Sequence, residues 1–405
     1  MTKLRNSPEK ILLPRGFAFS ALAAGIKASG RPDLAFVESA SGANAASLFT
    51  TNRVVAAPVE VGRASLRASG GKVRAVVINS GNANCATGAQ GRKGCETVCR
   101  EAAKLLGVKA ETVFPSSTGI IGVRFPTRKI TAKLPELIRG RSASQSSALA
   151  FAQAIMTTDT RAKIASARFK AGSGQITILG VAKGAGMIHP QMATMLVYMF
   201  TDVVVSAREL QKLLRDACAE SLNSMSVDGD TSTNDTVLLL ANGESGVRLR
   251  DAGIQSKFAH RLLAVCQSLA EQIVTDGEGV EHVIRLTVEQ ARSRDEALQV
   301  ARAIAHSALV KTAWAGADPN WGRILAAAGY SGVQFRPDRV KIFIGNQMVC
   351  RNGVALAFDE RRAHRALAEP VCDIRVQLGQ GKSAVRFLTT DLTAEYVRIN
   401  ADYST

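Results

Sequence analysis

The sequence lacks most of the features that mark exported, membrane-spanning or metal-binding proteins. Its seven cysteines include no CxxC pair and no neighbouring histidine cluster, so we expect neither a disulfide framework nor a zinc site. No apolar stretch reaches the ~18 residues of a transmembrane helix, and the charged N-terminus has no apolar signal-peptide core. We therefore predict a cytoplasmic protein with reduced thiols, no metal and no membrane contact.

The sequence is also poor in aromatic residues, which make up 5% of it, although its formal net charge is +17. Lysine and arginine are spread along the chain and are not gathered into a basic run with interleaved aromatics, so we do not expect nucleic-acid binding. The sequence contains neither GxxxxGK[ST] nor a complete GxGxxG after a strand, and it also lacks GxSxG. These absences argue against a nucleotide-phosphate cradle and against a serine-hydrolase elbow.

What is present suffices for a large folded core, because the 405 residues are 46% hydrophobic and show no repeat, low-complexity tract or obvious linker. Apolar patterning mixes helices and strands along the chain. The tail, residues 395–405, alternates apolar and polar positions and is predicted to be strand-like and docked. The other predicted strands are 56–61, 73–78, 175–182, 195–205, 236–241, 282–288, 340–344 and 373–377, and the predicted helices are 90–106, 148–156, 206–223, 256–274, 293–311 and 323–328.

Several polar clusters follow these elements, and each has both a structural and a ligand-binding interpretation. The asparagine-rich loop 79–88 suits a self-bonded turn and a ligand wall equally well. Residues 116–119 have the hydroxyls and the glycine of an oxyanion site, but such runs are also common in turns. Residues 157–160 suit a helix end, and 276–279 suit a surface turn. The acidic loop 228–235 lacks the spacing of a calcium-binding EF-hand.

The strongest chemical candidate is the connection between two predicted strands that ends in Ala193-Thr194. Its only nearby histidine, His189, is better interpreted as a turn residue than as a base. A threonine hydroxyl becomes nucleophilic when the threonine is an N-terminus, because its own α-amine then accepts the proton. An α-amine has a pKa of about 7.7–8.0, so part of it is free base at neutral pH. An internal Thr194 acquires that amine only if the chain is cut before it.

The stretch Lys183-Gly-Ala-Gly-Met-Ile-His-Pro-Gln-Met-Ala-Thr-Met-Leu196 resembles the self-cleavage motif of the ornithine acetyltransferase family, also called the glutamate N-acetyltransferase family. The resemblance covers nearly the whole chain. Several independent motifs in one order are far more specific than any single motif. The other matching segments are 51–58, 79–84, 117–119, 156–160, 276–279, 318–323 and 396–400.

The resemblance implies an enzyme of arginine biosynthesis that transfers acetyl from N2-acetylornithine to glutamate through an acetyl-enzyme, without a cofactor. It leaves open whether acetyl-CoA serves as a second donor. Cleavage between Ala193 and Thr194 would give an α segment, 1–193, and a β segment, 194–405, assembled as an α2β2 heterotetramer. Thr194 would be the nucleophile, and Thr118 and Gly119 would form the oxyanion hole. The implied substrate-binding residues are Thr157, Lys183, Thr194, Glu278, Asn400 and Thr405.

The predicted fold class is α+β, a layered α/β/β/α-type sandwich of a self-processing enzyme that resembles N-terminal-nucleophile proteins. We expect the main catalytic layers in residues 1–280, a smaller α/β unit in 281–390 and a tail, 391–405, that returns to the active site. Two alternatives stay open: a self-cleaving amidase or aminopeptidase in which water replaces glutamate, and a ligand-binding relative that is not cut and acts through its basic surface.

Overall fold

The computed structural model of the chain describes residues 10–189 and 195–402. Two β-sheets form its framework. The strands of the larger sheet are β1 (Phe17–Leu22), β2 (Leu34–Phe49), β3 (Lys72–Asn82), β4 (Val113–Ile120), β5 (Lys163–Ala171), β6 (Gly174–Lys183), β7 (Leu196–Thr201) and β8 (Thr236–Ala241). They lie in the order β4-β3-β2-β8-β7-β6-β5, and β1 pairs with β2. Most neighbours are antiparallel, but β3 with β4 and β7 with β8 are parallel.

The smaller sheet follows the larger one in the chain. Its order is β12-β11-β10-β13-β9-β14, and the central pair of β9 and β13 is parallel. The strands are β9 (Val283–Ala291), β10 (Lys341–Ile344), β11 (Gln347–Arg351), β12 (Val354–Ala355), β13 (Val371–Gln377) and β14 (Ser383–Thr390).

Helices pack against both sheets. In the sequence they form most of the connections between the strands. Short 3-10 turns lie at Ala110–Thr112 and Pro337–Arg339. The α-helices are α1 (Ala57–Ala68), α2 (Gly88–Leu106), α3 (Thr127–Arg139), α4 (Gln145–Ala154), α5 (Ala207–Ala219), α6 (Ala252–Thr275), α7 (Arg294–His306), α8 (Ala308–Ala315), α9 (Trp321–Gly329), α10 (Glu360–Leu367) and α11 (Ala394–Asp402).

Strand β7 lies in the middle of the larger sheet and is buried on both of its faces. Val197 and Met199 point into the core that α5 and α6 cover. Tyr198 and Phe200 alternate with them and point into the opposite core, which α4 and β1 cover. This double burial explains the unbroken apolar run of the strand, because neither face meets water. The start of β7 is therefore held in place from both sides.

The core of the smaller sheet is separate and is formed mainly with α7, α8 and α9. Leu286 of β9 packs there with Ile304 of α7 and with the fully buried Trp314 of α8. Together the two sheets and their helix layers confirm the predicted α+β fold of packed layers.

Three predicted elements are wrong. Residues 56–61 form the N-cap and first turn of helix α1 and not a strand. Pro58 favours this helix start because its fixed φ is helical, but the apolar stretch is too short for its periodicity to show a helix. The described part of the tail forms helix α11 and not a strand, because the spacing of its apolar residues fits an amphipathic helix as well as a strand. The predicted helix 293–311 is two helices, because Ser307 takes extended geometry and its side chain caps α8 through the N–H of Val310.

All seven cysteines are buried and free. Cys95 and Cys99 lie on the inner face of α2 and pack into the core there. Among the residues that the structure describes, no helix is long and apolar enough to cross a bilayer.

Candidate active site

A cavity lies where several strands of the larger sheet begin or end. The end of β4, the end of β6 and the first residue of β7 contribute to its wall, and so do the loop before β8 and helix α11. Six residues singled out in the sequence analysis line this one cavity, although they come from distant parts of the chain. They are Thr118, Gly119, Thr157, Lys183, Glu278 and Asn400.

Thr118 and Gly119 lie near the end of strand β4, where it still pairs with β3, and not in a free loop. Gly119 has a φ of +129°, which side chains rarely allow. A Cβ atom there would lie 2.4 Å from the carbonyl carbon of Gly81 and 2.5 Å from the nitrogen of Asn82. Only glycine lets the two strands approach so closely, so the backbone at Gly119 is fixed at the cavity wall.

The asparagines of the 79–88 loop support these strands and do not line the cavity. The Asn79 side chain donates to the carbonyl of Asn82 at 2.8 Å and accepts from the Ser117 hydroxyl at 2.6 Å. From the loop before β8, the Asn234 side chain donates to the carbonyl of Ser117 at 2.9 Å. Of the two interpretations of this loop, the structure favours the self-bonded turn.

A buried ion triad fixes the loop that carries Thr157. The Lys163 ammonium, with no exposed surface, lies 2.5 Å from Asp159 and 2.6 Å from Asp276. Asp159 also accepts from the N–H groups of Thr157, at 2.9 Å, and Gly184, at 2.6 Å. Burial alone would raise the pKa of Asp159, but Lys163, Lys183 and the N–H of Gly184 together outweigh it and the pKa is lowered to about 2. The triad therefore ties three segments around the cavity together.

Lys183 ends β6 at the cavity wall among carboxylates. Burial lowers the pKa of its ammonium, and the nearby carboxylates of Asp159, Asp235 and Glu278 oppose that shift. The cavity thus offers a cation beside several anionic groups.

Glu278 reaches the cavity from the loop after α6, between two glycines. Its carboxylate lies directly against Gly186, where a Cβ would come within 2.4 Å of Oε2. Its backbone N–H donates to the carbonyl of Ala185 at 3.0 Å. The Asn400 side chain donates to Glu278 Oε2 at 2.9 Å, so helix α11 closes this side of the cavity.

The chain that leads to residue 189 is held by backbone hydrogen bonds. The Asp228 carboxylate accepts from the N–H groups of Met187 and Ile188 at 2.6 and 2.8 Å, and burial raises its pKa to about 6. The carbonyl of Ile188 in turn accepts from the hydroxyl of Ser226 at 2.9 Å. Met187 adopts a φ of +52°, so the turn before residue 189 is tight.

Three residues of the predicted site, Ala193, Thr194 and Thr405, lie outside the described residues. The residues nearest to them in the chain that are described, Met195 and Asp402, are the first residue before β7 and the last residue of α11. Met195 lines the cavity.

Asp235, which no sequence motif singles out, also lines the cavity and is only 3% exposed. The acidic loop 228–235 that contains it suggests from its sequence only a cation site. The available signal was a carboxylate immediately before an apolar strand, because side chains at the end of a buried strand can reach a ligand-binding cavity.

One group of possible metal ligands, Glu281, His282 and Asp391, is found in the described part of the chain. The Asp391 carboxylate is already engaged there, since it accepts from the backbone N–H groups of Glu281 and His282 and lies 2.9 Å from His282 Nδ1. These contacts account for the cluster as a joint between the two strands that flank it.

The arrangement suits a small zwitterionic ligand. A ligand ammonium can be held by Glu278, and a ligand carboxylate by Lys183. A carbonyl oxygen that develops negative charge would lie beside Thr118 and Gly119. Such a cavity can bind an amino acid and stabilise an acyl-transfer intermediate in the same place.

Comparison with known proteins gives one family over almost the whole chain. The model of the ArgJ family matches residues 18–405. An arginine biosynthesis bifunctional protein ArgJ from Thermotoga neapolitana is 44% identical over 405 residues, covering 98% of this chain and 100% of the relative. The protein of that name from Thermus thermophilus is 46% identical over 396 residues, with the same coverage. A crystal structure of an ArgJ protein from Bacillus halodurans, 38% identical, aligns with 52% of this chain and all of that chain at a TM-score of 0.49.

Proposed function

This chain belongs to the ArgJ family, as the sequence motifs predicted, and from that premise we propose that it transfers acetyl from N2-acetyl-L-ornithine to L-glutamate in arginine biosynthesis. The observation that supports the proposal is that Thr118, Gly119, Lys183 and Glu278 line the same cavity as Met195. Each of these groups has one task in the reaction, and none of them requires a cofactor.

In the proposed mechanism the chain first cuts itself between Ala193 and Thr194. The new α-amine of Thr194 then takes the proton of its own hydroxyl, which attacks the acetyl carbonyl of the donor. The Thr118 hydroxyl and the Gly119 N–H stabilise the oxyanion that forms. The Thr194 ammonium gives that proton to the ornithine nitrogen as the carbon–nitrogen bond breaks, so ornithine leaves as an amine and the acetyl group remains on Thr194 as an ester.

Glutamate then enters the same site and removes the acetyl group by the reverse steps. One site serves two amino acids in turn, so the reaction is of the ping-pong type. Glu278, held by Asn400, binds the side-chain ammonium of the ornithine moiety, and Lys183 binds an α-carboxylate. Thr157 and Thr405 complete the proposed substrate contacts.

The proposal includes the α segment, 1–193, and the β segment, 194–405, joined in an α2β2 heterotetramer. Acetyl-CoA is a candidate second donor, because acylation of Thr194 needs only an activated acetyl carbonyl in reach of the oxyanion pair.

The test measures acetylornithine consumption with glutamate and with water as acceptor. We expect N-acetylglutamate to form much faster than free acetate. A faster release of acetate would identify the self-cleaving amidase that remained an alternative. We also expect Thr194→Ala to abolish both cutting and turnover, whereas a Ser206→Ala control, which changes only a helix cap, keeps both. Transfer by the Thr194→Ala protein would require another nucleophile.

A further inference from the structure

Asp235 lies beside Met195, the second residue after the proposed cleavage site. Strands β7 and β8 are parallel and pair Leu196 with Thr236. The residues just before them, Met195 and Asp235, therefore lie next to each other. The N–H of Thr236 donates to the carbonyl of Met195 at 3.1 Å, and the N–H of Met195 donates toward the Asp235 carboxylate.

One oxygen of the Asp235 carboxylate accepts no hydrogen bond from the described residues. The hydroxyl of Ser232 also donates toward Asp235, but Oδ2 is buried and has no hydrogen-bond partner in the parts of the chain that the structure describes. An unpaired buried carboxylate oxygen is costly, so it calls for a functional explanation. It lies in the wall of the proposed active-site cavity.

The other buried carboxylates near the cavity have both oxygens occupied. Asp159 accepts from Lys163, Gly184 and Thr157, and Asp276 accepts from Lys163 and twice from Thr160. Those two are structural.

Asp228 accepts from three backbone N–H groups through its two oxygens. It too is structural, and Glu278 is the proposed partner of the substrate. Asp235 thus differs from these three buried aspartates in having a buried oxygen that no described residue contacts by a hydrogen bond, and it lies next to residue 195.

The proposed reaction needs a carboxylate that can accept a proton in one step, the cutting of the chain before Thr194. This inference rests on the proposed function, in which the mature enzyme uses the α-amine of Thr194 as its base. Before cutting, that nitrogen is an amide and cannot accept a proton. The uncut chain must therefore supply another proton acceptor for its own cleavage.

We propose that Asp235 is the proton acceptor of the self-cutting step. Its carboxylate takes the proton of the Thr194 hydroxyl as Oγ bonds to the carbonyl carbon of Ala193. The proton then passes to the Thr194 nitrogen as the carbon–nitrogen bond breaks, which leaves an ester and a free amine. Water hydrolyses the ester: its hydroxide adds to the Ala193 carbonyl carbon and its proton returns to Oγ, and the carboxylic acid that results gives its proton to the new α-amine of Thr194.

The surroundings of Asp235 suit this task. Burial raises the pKa of its carboxyl well above the usual range, which makes the carboxylate a stronger base than an exposed one. The charged group that faces it is Lys183 of β6, which favours the ionised form and is itself balanced by Asp159 and Glu278. Asp235 is thus basic and still held beside a cation.

The test follows cutting of the freshly synthesised full-length chain on a denaturing gel. We expect Asp235→Asn, which keeps an acceptor for Met195, to slow cutting on the order of 10²-fold. Asp235→Glu should recover part of the rate. The matched control, Asp216→Asn, changes an exposed carboxylate on α5 and should cut as the wild type does.

A pH series provides a readout that a structural role would not give. Wild-type cutting should slow as the pH is lowered across the range in which the chain stays folded, because the carboxylate becomes protonated at a higher pH than an exposed one does, and the residual cutting of Asp235→Asn should lose that dependence. A wild-type rate that is flat over this range would overturn the inference, even if the Asn variant failed to fold. So would cutting of Asp235→Asn at the wild-type rate. A wild-type chain that never cuts at 193/194 would instead refute the proposed function itself.

Discussion

Replacing Lys163 by methionine tests the buried triad that holds the cavity together. The change keeps the length of the side chain and removes its charge, so Asp159 and Asp276 lose the ammonium that lies between them. The pKa of Asp159 is about 2 in the fold against 3.8 for the free group, a difference equivalent to roughly 2–3 kcal/mol of stability at neutral pH. Removing one member of a buried ion cluster costs ~3–5 kcal/mol in total, because the charges left behind have lost their partner.

The sign of the pH dependence follows from the lowered pKa. Stability from a carboxylate of lowered pKa is present above its unfolded value, near 3.8, and is lost as the pH falls toward 2. The deficit of Lys163→Met should therefore be largest at neutral pH and shrink as the solution is made acidic toward pH 3.

The assay is urea unfolding of the uncut Thr194→Ala chain with and without Lys163→Met, so that cleavage does not enter. Lys170→Met, on the same strand but exposed, is the control and should change the free energy of unfolding by less than ~0.5 kcal/mol. A deficit of Lys163→Met no larger than that of the control, or one that does not vary with pH, would refute the reasoning about the triad.

Two other predictions concern the reaction and the acid response. Thr118→Ala should slow acetyl transfer by ~10² to 10³ through loss of an oxyanion donor, and a change in KM alone, measured by steady-state kinetics, would contradict that role. Burial and the neighbouring His189 ring lower the pKa of His306 to about 3, so the folded protein should lose stability as the pH falls from 6.5 toward 3. His306→Gln should flatten this part of the curve of thermal midpoint against pH, and an unchanged curve would show that His306 is not its source.

The elements that the sequence predicted well are those with a strong local pattern. Strand β8 begins and ends at the predicted residues, 236 and 241, because an unbroken apolar run follows a polar loop. Helix α5 begins after Ser206, whose side chain accepts from the N–H of Glu209 as the capping pattern predicted. Each of these two signals spans only a few consecutive residues, so no tertiary contact is needed to interpret it.

The errors occur where the local pattern is short or fits two structures. The window 56–61 is too short to separate a strand from the first turns of helix α1, and the tail has apolar positions that suit either element. Only packing decides such cases.

The candidate site shows the same limit. Motifs placed Thr118 and Glu278 in it because whole segments resembled a family, but the approach of Glu278 to Gly186 and Asn400 joins residues far apart in the chain. Asp235 carried no motif at all. Its position depends on the parallel pairing of β7 with β8, which the sequence does not specify.

The central claim is that Thr194 becomes an N-terminus and carries the acetyl group. It is tested most directly by mixing the enzyme with acetylornithine alone, quenching in acid and determining the intact masses of all segments. We predict an unmodified segment that ends at Ala193 and a second segment that begins at Thr194 and is heavier by one acetyl group. A fully active enzyme that consists of a single uncut chain, or an acetyl group on a residue other than Thr194, would contradict the claim.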